Sequence, residues 1–176
     1  MGILSRLKDI SPGRLCALVW ITLAAGSALT AVGPTYPHAE AIGSLLALTS
    51  IYGYPTLLSF MPPLQVAPRS RRLVLACPSA IAILFVVSFL TGTSPGYQEN
   101  GAPAWSYPIG LATGVAIFVP LIVAAGALRR LELSVGRNIT LGGMSAFLWL
   151  FYWPVGTYFF HRRLLYALHL RSITPA

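Results

Sequence analysis

The chain has 176 residues, of which 56% are hydrophobic and 9% charged. A soluble domain carries about 25% charged residues, so twelve Lys and Arg with four Asp and Glu are too few to cover a water-exposed surface of this size. The composition excludes disordered, collagen-like and disulfide-stapled proteins, and it disfavours a soluble enzyme. It indicates an all-α, polytopic integral membrane protein with a single transmembrane domain and no soluble domain.

The charges divide the chain into five charge-free, mostly apolar windows of 19 to 22 residues. At about 1.5 Å per residue, each window is long enough as a helix to cross a hydrocarbon core of about 30 Å. We therefore predict a bundle of five transmembrane helices, several of them kinked by proline, at about 15–33, 41–61, 73–92, 108–128 and 139–160. Ser11 and Pro12 predict the N-cap and first residue of the first helix.

Basic residues determine the expected orientation, because they accumulate on the cytoplasmic side of membrane helices. Residues 1–14, 62–72 and 129–138 each carry three basic groups, whereas 34–40 and 93–107 carry none. This alternation predicts a multi-pass protein with a cytoplasmic N-terminus. The arginine-rich, lysine-poor composition favours a bacterial inner membrane.

The C-terminal tail conflicts with this alternation. A single crossing by 139–160 would place Arg162, Arg163 and Arg171 outside. Alternatively, Trp153-Pro154-Val155-Gly156 turns a re-entrant hairpin back to the cytoplasm. We favour the single crossing, because a proline in a membrane helix more often produces only a kink.

Small residues at helical spacing indicate close helix packing in lipid, where backbone approach supplies the attraction between helices. We expect these residues to pack helices of the same chain against each other rather than to form an interface between chains. The predicted helix-packing residues are Gly26, Ala28, Gly110, Gly114, Gly142 and Ala146.

The second window has the most irregular composition, because Gly53 and Pro55 weaken the helix in a segment rich in hydroxyl groups. A broken helix near the membrane midplane is typical of substrate sites in transporters. A simple kink, with its freed backbone groups satisfied locally, is the favoured alternative. The candidate substrate-path residues are Thr49, Tyr52, Gly53, Tyr54 and Pro55.

The fifth window is rich in aromatic residues. Trp149, Tyr152 and Trp153 form a candidate groove for a lipid, quinone or pigment. An interfacial aromatic belt is the alternative, and it accounts for residues 158–160 more directly.

Asp, Glu, Lys, Arg and His are absent from all five windows, which disfavours a pump or proton relay. In the single-crossing topology, His38, Glu40, Glu99 and His161 would share the outer face, where we expect solvated loop residues rather than a metal site. We predict no catalytic residue and no metal ligand set.

The basic clusters beside the windows predict contact with lipid headgroups rather than with nucleic acid. The residues are Arg69, Arg71, Arg72, Arg129, Arg130, Arg162 and Arg163.

Three classes of function remain open. The favoured one is a small non-catalytic subunit of a larger membrane complex, with a scaffold, assembly or lipid- and cofactor-packing role. Its partners would be membrane lipids and other subunits, or further copies of the chain. The second is a small oligomeric channel or facilitator that uses the second helix. The third is a membrane-embedded enzyme or cofactor carrier.

Overall fold

A computed structural model describes residues 9–32, 37–91, 106–137, 142–152 and 154–173. Over these ranges the chain forms six α-helices and no strand. They are α1 (Pro12–Ala31), α2 (Pro37–Ser59), α3 (Pro68–Thr91), α4 (Ser106–Ser134), α5 (Gly142–Phe151) and α6 (Val155–Ile173), with a 3₁₀ turn at Pro62–Leu64. Within the described part of the chain, α1 is the helix that is both long and apolar enough by itself to cross a membrane.

The start of α1 confirms the capping prediction. Ser11 has an extended backbone and its hydroxyl accepts from the Arg14 amide at 3.4 Å, while Pro12 occupies the first helical turn. This hydroxyl satisfies one of the amides that a helix start leaves without a partner. The chain therefore enters α1 at a defined residue.

Helices α1 and α2 approach each other through glycine. A Cβ placed on Gly26 would lie 2.8 Å from the Gly43 carbonyl oxygen, and one on Gly43 would lie 2.5 Å from the Gly26 carbonyl oxygen. Both distances are too short for a real methyl group, so only glycine permits this backbone contact. In lipid, such close approach strengthens dispersion attraction between helices.

The fifth predicted span is wrong as a single helix. Residues 139–160 contain the whole of α5, a turn at Tyr152 and Pro154, and the start of α6. Arg163 of α6 donates to the Gly142 carbonyl at the start of α5, and the Phe159 ring stacks on Trp149 at 4.4 Å between centroids. The two helices therefore run antiparallel as a helical hairpin, α5–α6.

The hairpin turn closes tightly at Gly156. A Cβ at this position would overlap the carbonyl oxygen of Trp149, so α5 and α6 can meet here only through glycine. The amides of Gly156 and Thr157 donate to the carbonyls of Tyr152 and Pro154, at 3.0 and 3.2 Å. These two bonds satisfy the carbonyls of Tyr152 and Pro154, and Pro154 is buried.

Helix α6 packs by a continuous stripe that extends past the charges at 162 and 163. Each of its buried residues has another buried residue three or four positions away, the period of one helix face. They are Gly156, Thr157, Phe160, His161, Leu164 and Ala167. Phe160 and Leu164 are fully buried in the same core as Leu58 of α2 and Leu128 of α4.

The return of α6 brings the chain's arginine clusters to one end of the bundle, which we call the basic end. His161 contacts Ile10, just before α1, and Arg163 contacts Glu132, near the end of α4. The short connection from α2 to α3 reaches the same end, where Pro62 and Leu168 line one open groove. The basic end therefore comprises residues 9–14, 60–72, 128–137 and 160–173.

Candidate functional site

The first polar cluster, the Glu132 clamp, joins α4 to both helices of the hairpin. Arg163 donates from Nε to Glu132 Oε1 at 3.0 Å and from Nη2 to Oε2 at 2.7 Å. Its Nη1 donates to Ser145 Oγ at 2.7 Å, and Nη2 also reaches the Gly142 carbonyl at 3.2 Å. The Glu132 side chain is fully buried, so this bidentate pair compensates a charge removed from solvent.

The end of α4 supplies a second arginine to the clamp. Gly136 has φ 75°, and the amides of Gly136 and Arg137 donate to the carbonyls of Leu133 and Glu132. This pattern is a Schellman cap, which needs the left-handed conformation that glycine adopts readily. The cap brings Arg137 Nη1 to 3.6 Å from Glu132 Oε1, with the guanidinium 4.7 Å above the Tyr166 ring.

The second polar cluster, the His161 node, joins three parts of the chain. His161 is fully buried; its Nδ1 lies 2.9 Å from the Tyr54 hydroxyl and its Nε2 lies 2.9 Å from the Ile10 carbonyl. A carbonyl oxygen only accepts, so Nε2 carries the proton and Nδ1 accepts from the tyrosine hydroxyl. The neutral imidazole is therefore satisfied at both nitrogens.

The tip of the hairpin contacts α1. The thiol of Cys16 lies 3.8 Å from the Pro154 carbonyl oxygen. Cys16 follows Ile10, whose carbonyl contacts His161, by about two helical turns. Pro154, which directly precedes α6, is separated from His161 by a similar length of chain. The hairpin therefore lies alongside the first part of α1, and its tip is level with Cys16.

Acid is expected to weaken the fold through His161. Burial lowers the pKa of His161 below its ordinary 6.5, and the hydrogen bond to Ile10 opposes that shift only in part. A depressed pKa in the folded state means that the unfolded chain binds the proton more tightly. Stability present above pH 6.5 should therefore be lost as the pH falls from 6.5 through the folded-state pKa.

The measurement is thermal unfolding of the detergent-purified protein between pH 8 and pH 5. His161→Gln should flatten the pH dependence, because an amide can donate to Ile10 and accept from Tyr54 without titrating in this range. His169→Gln is the matched control, since His169 is exposed on the same helix. Equal pH dependence in the parent and His161→Gln proteins would contradict this assignment.

The predicted substrate-path residues do not form one polar surface. The helix continues from Pro37 to Ser59 through Gly53 and Pro55. Thr49 is exposed with its hydroxyl on the Leu45 carbonyl, whereas Tyr54 is turned towards His161. Tyr52 is buried, as is Pro55. Tyr54 thus has a packing and hydrogen-bonding role between α2 and α6.

The predicted packing residues have different environments. Gly26 lies at the α1–α2 contact and Ala146 is fully buried, whereas Ala28 is exposed. Gly142 is covered by the Arg129 side chain, because a Cβ there would lie 2.8 Å from Arg129 Nη1. Gly110 and Gly114 lie in α4, but their packing falls outside the part of the chain that is described at side-chain level.

The predicted aromatic groove is divided. Trp149 stacks on Phe159 inside the hairpin, while Tyr152 is 65% exposed at the turn. Trp153 lies outside the described residues. The aromatic residues that stack on an outer face are instead Phe118, Phe147 and Phe151, with centroid separations of 5.9 to 6.2 Å.

The predicted headgroup arginines also divide into two groups. The guanidinium of Arg163 donates to Glu132, Ser145 and the Gly142 carbonyl, so these contacts occupy it within the bundle. Arg129 covers Gly142 and is part of the packing between α4 and α5. Arg71 is half-buried, and the exposed members are Arg69, Arg72, Arg130 and Arg162.

Sequence reasoning missed the two residues that organise the site. His161 was expected in a solvated outer loop, yet it is buried beside Ile10. Glu132 was treated only as a charge that separates windows. Local spacing gave no signal for this arrangement: at about 100° per residue, His161 and Arg163 lie about equally far, roughly 80°, from the centre of the face formed by residues 157, 160, 164 and 167.

The chain matches no model of a known protein family, and neither a curated protein nor a solved structure is significantly similar to it. Within the described residues, no group of three or more His, Cys, Asp or Glu side chains is placed to hold a metal ion.

Proposed function

We propose that the chain is a multi-pass protein of the bacterial inner membrane, with α1–α4 crossing the bilayer and α5–α6 entering as a re-entrant hairpin. The observation that carries this proposal is the exposed apolar surface around the bundle. Large apolar side chains point outward from all six described helices, an arrangement that water disfavours and lipid accommodates. Examples are Leu18 and Ile21 of α1, Ile83 of α3, Ile122 of α4, Met144 of α5 and Val155 of α6.

Charge distribution supports a cytoplasmic basic end. The hairpin places Arg162, Arg163 and Arg171 with the basic residues that start α1 and α3 and end α4. With the basic end inside, all of these groups obey the positive-inside rule. The single crossing favoured from the sequence would have violated it.

The environment of the turn supports a re-entrant hairpin. Non-helical backbone is tolerated at membrane depth only where it is buried in protein or lines water. Pro154 is buried, its carbonyl accepts from Cys16 and Thr157, and Gly156 donates to Tyr152. The backbone groups cited here are thus satisfied within this chain, which supports a turn at membrane depth although the Tyr152 side chain is 65% exposed.

Within that membrane, we propose a non-catalytic role as a small subunit of a larger complex. The polar side chains that join the helices are occupied by one another: Glu132 with Arg163, and Tyr54 with His161. Within the described residues the buried hydroxyls of Tyr52 and Thr56 have no hydrogen-bond partner, whereas Ser50 and Ser59 donate to carbonyls of their own helix, at 2.6 and 3.1 Å. Polar groups used in this way support packing rather than transport or catalysis.

Purification in a mild detergent, followed by native mass spectrometry, tests this role. We expect the chain to co-purify with unrelated membrane proteins at fixed stoichiometry. A homo-oligomer without other subunits would overturn the proposal. Solute flux in liposomes that changes with Tyr54→Phe would favour the channel, and a visible absorption band would favour the cofactor carrier.

A further inference from the structure

The surface of the basic end carries a large excess of positive charge. Its described residues include ten arginines and two acidic residues, Asp9 and Glu132. Glu132 is fully buried against Arg163 and Arg137, so it offers no negative charge at the surface. The arginines at this end are Arg14, Arg69, Arg71, Arg72, Arg129, Arg130, Arg137, Arg162, Arg163 and Arg171.

Four of these arginines form an exposed rim, which we define as Arg69, Arg72, Arg130 and Arg162. They come from three helices: the first turns of α3, the last turns of α4 and the middle of α6. Arg162 lies at the same end of the bundle as Arg130. Its neighbour Arg163 binds Glu132, which is two residues after Arg130 in α4. The rim therefore lies at one end of the bundle and is spread over three helices.

We infer that the rim binds the phosphate headgroups of anionic phospholipids in the cytoplasmic leaflet, an inference that rests on the membrane orientation proposed above. A guanidinium pairs with phosphate through two parallel N–H donors, and its apolar stem can lie along hydrocarbon. Leu73, next to Arg72, is 57% exposed, which provides an apolar surface beside the charge. A headgroup layer with acyl chains below it complements both features.

Nucleic acid and acidic proteins match this surface less well. They would meet the positive charge but not the exposed apolar side chains that begin beside it on α3. A lipid leaflet presents phosphate at one depth and hydrocarbon immediately below. The juxtaposition of Arg72 and Leu73 therefore favours lipid over the other anionic partners.

The experiment is lipid competition on the full chain. The protein is incorporated into nanodiscs that contain equal amounts of phosphatidylglycerol and phosphatidylcholine, and the lipids retained after ejection are counted by native mass spectrometry. We expect enrichment of phosphatidylglycerol that collapses at high salt, because exposed charges are screened. Neutralising the rim with Arg69, Arg72, Arg130 and Arg162→Gln should weaken the enrichment strongly, by roughly fivefold in affinity per arginine.

A charge-retaining variant with lysine at the same four positions is the matched control, and it should keep most of the enrichment. Equal retention of the two lipids by the parent protein would overturn the inference, as would full enrichment in the glutamine variant. Tight binding of a nucleic acid to detergent-solubilised protein, in place of lipid enrichment, would also overturn it. Failure of the membrane proposal itself is a different result: the chain would stay in the soluble fraction and not enter nanodiscs.

Discussion

Replacing Arg163 by glutamine is expected to destabilise the protein by about 3 kcal/mol, because breaking a buried ion pair leaves an uncompensated charge. Glu132 would keep only Arg137, whose Nη1 lies 3.6 Å from the carboxylate. The hairpin would also lose the hydrogen bonds that Arg163 donates to the Ser145 hydroxyl and to the Gly142 carbonyl. The measurement is denaturant unfolding in detergent, followed by the fluorescence of Trp149 and the other tryptophans.

Two variants control this prediction. Arg162→Gln removes the same charge from the adjacent, exposed position and should change the free energy of unfolding by no more than about 0.5 kcal/mol. The double variant Glu132→Gln with Arg163→Gln should recover part of the loss, because no charge is then left buried. Equal stability of Arg162→Gln and Arg163→Gln would contradict the clamp.

Replacing Gly156 by alanine should open the hairpin turn. The added methyl group would overlap the Trp149 carbonyl oxygen, which belongs to backbone and cannot move like a side-chain end. Overpacking of this kind costs at least about 2 kcal/mol where the backbone must shift. We expect a lower unfolding midpoint and a red-shifted tryptophan emission, since Trp149 would separate from Phe159.

Gly143→Ala is the matched control within the same hairpin. A Cβ there would meet Arg129 Cγ at 3.9 Å, an ordinary van der Waals contact, and alanine is the better helix former. Its stability should equal or exceed that of the parent. A Gly156→Ala protein as stable as Gly143→Ala would show that α5 and α6 do not meet through Gly156.

Helices α1 to α4 were predictable because a charge-free apolar window and a long helix coincide over most of their length. The helix ends in the structure differ from the predicted ends for a physical reason. Charged residues need to leave hydrocarbon, but they do not end a helix, so α4 continues through Arg129 and Arg130 to Ser134. Likewise α3 begins at Pro68, before Arg69 and not after Arg72.

The fifth window failed for a different reason. The window is as long as one membrane-spanning helix, so hydropathy alone cannot distinguish a single crossing from two shorter helices. The break depends on Gly156 fitting against Trp149 and on Arg163 finding Glu132, 31 residues away. The conflict in arginine placement indicated a problem at this window, and the re-entrant alternative was weighed but not preferred.

The candidate site was the least predictable part. Tyr54 and His161 are 107 residues apart, so local spacing carries no sign of their hydrogen bond. Tyr54 was selected because it lies in an irregular helix. Its hydrogen-bond partner, His161, was assigned to the outer face of the membrane. Long-range pairing of polar groups becomes visible only when the helices are placed side by side.

The central claim is that the hairpin returns the C-terminus to the side of the N-terminus. It is tested with a single cysteine at Ser172 in a Cys16→Ser, Cys77→Ala background, compared with a single cysteine at Asp9 in the same background. The hairpin predicts that a membrane-impermeant maleimide labels neither cysteine in intact cells and labels both after permeabilisation. Labelling of Ser172→Cys but not of Asp9→Cys in intact cells would contradict it and establish a single crossing.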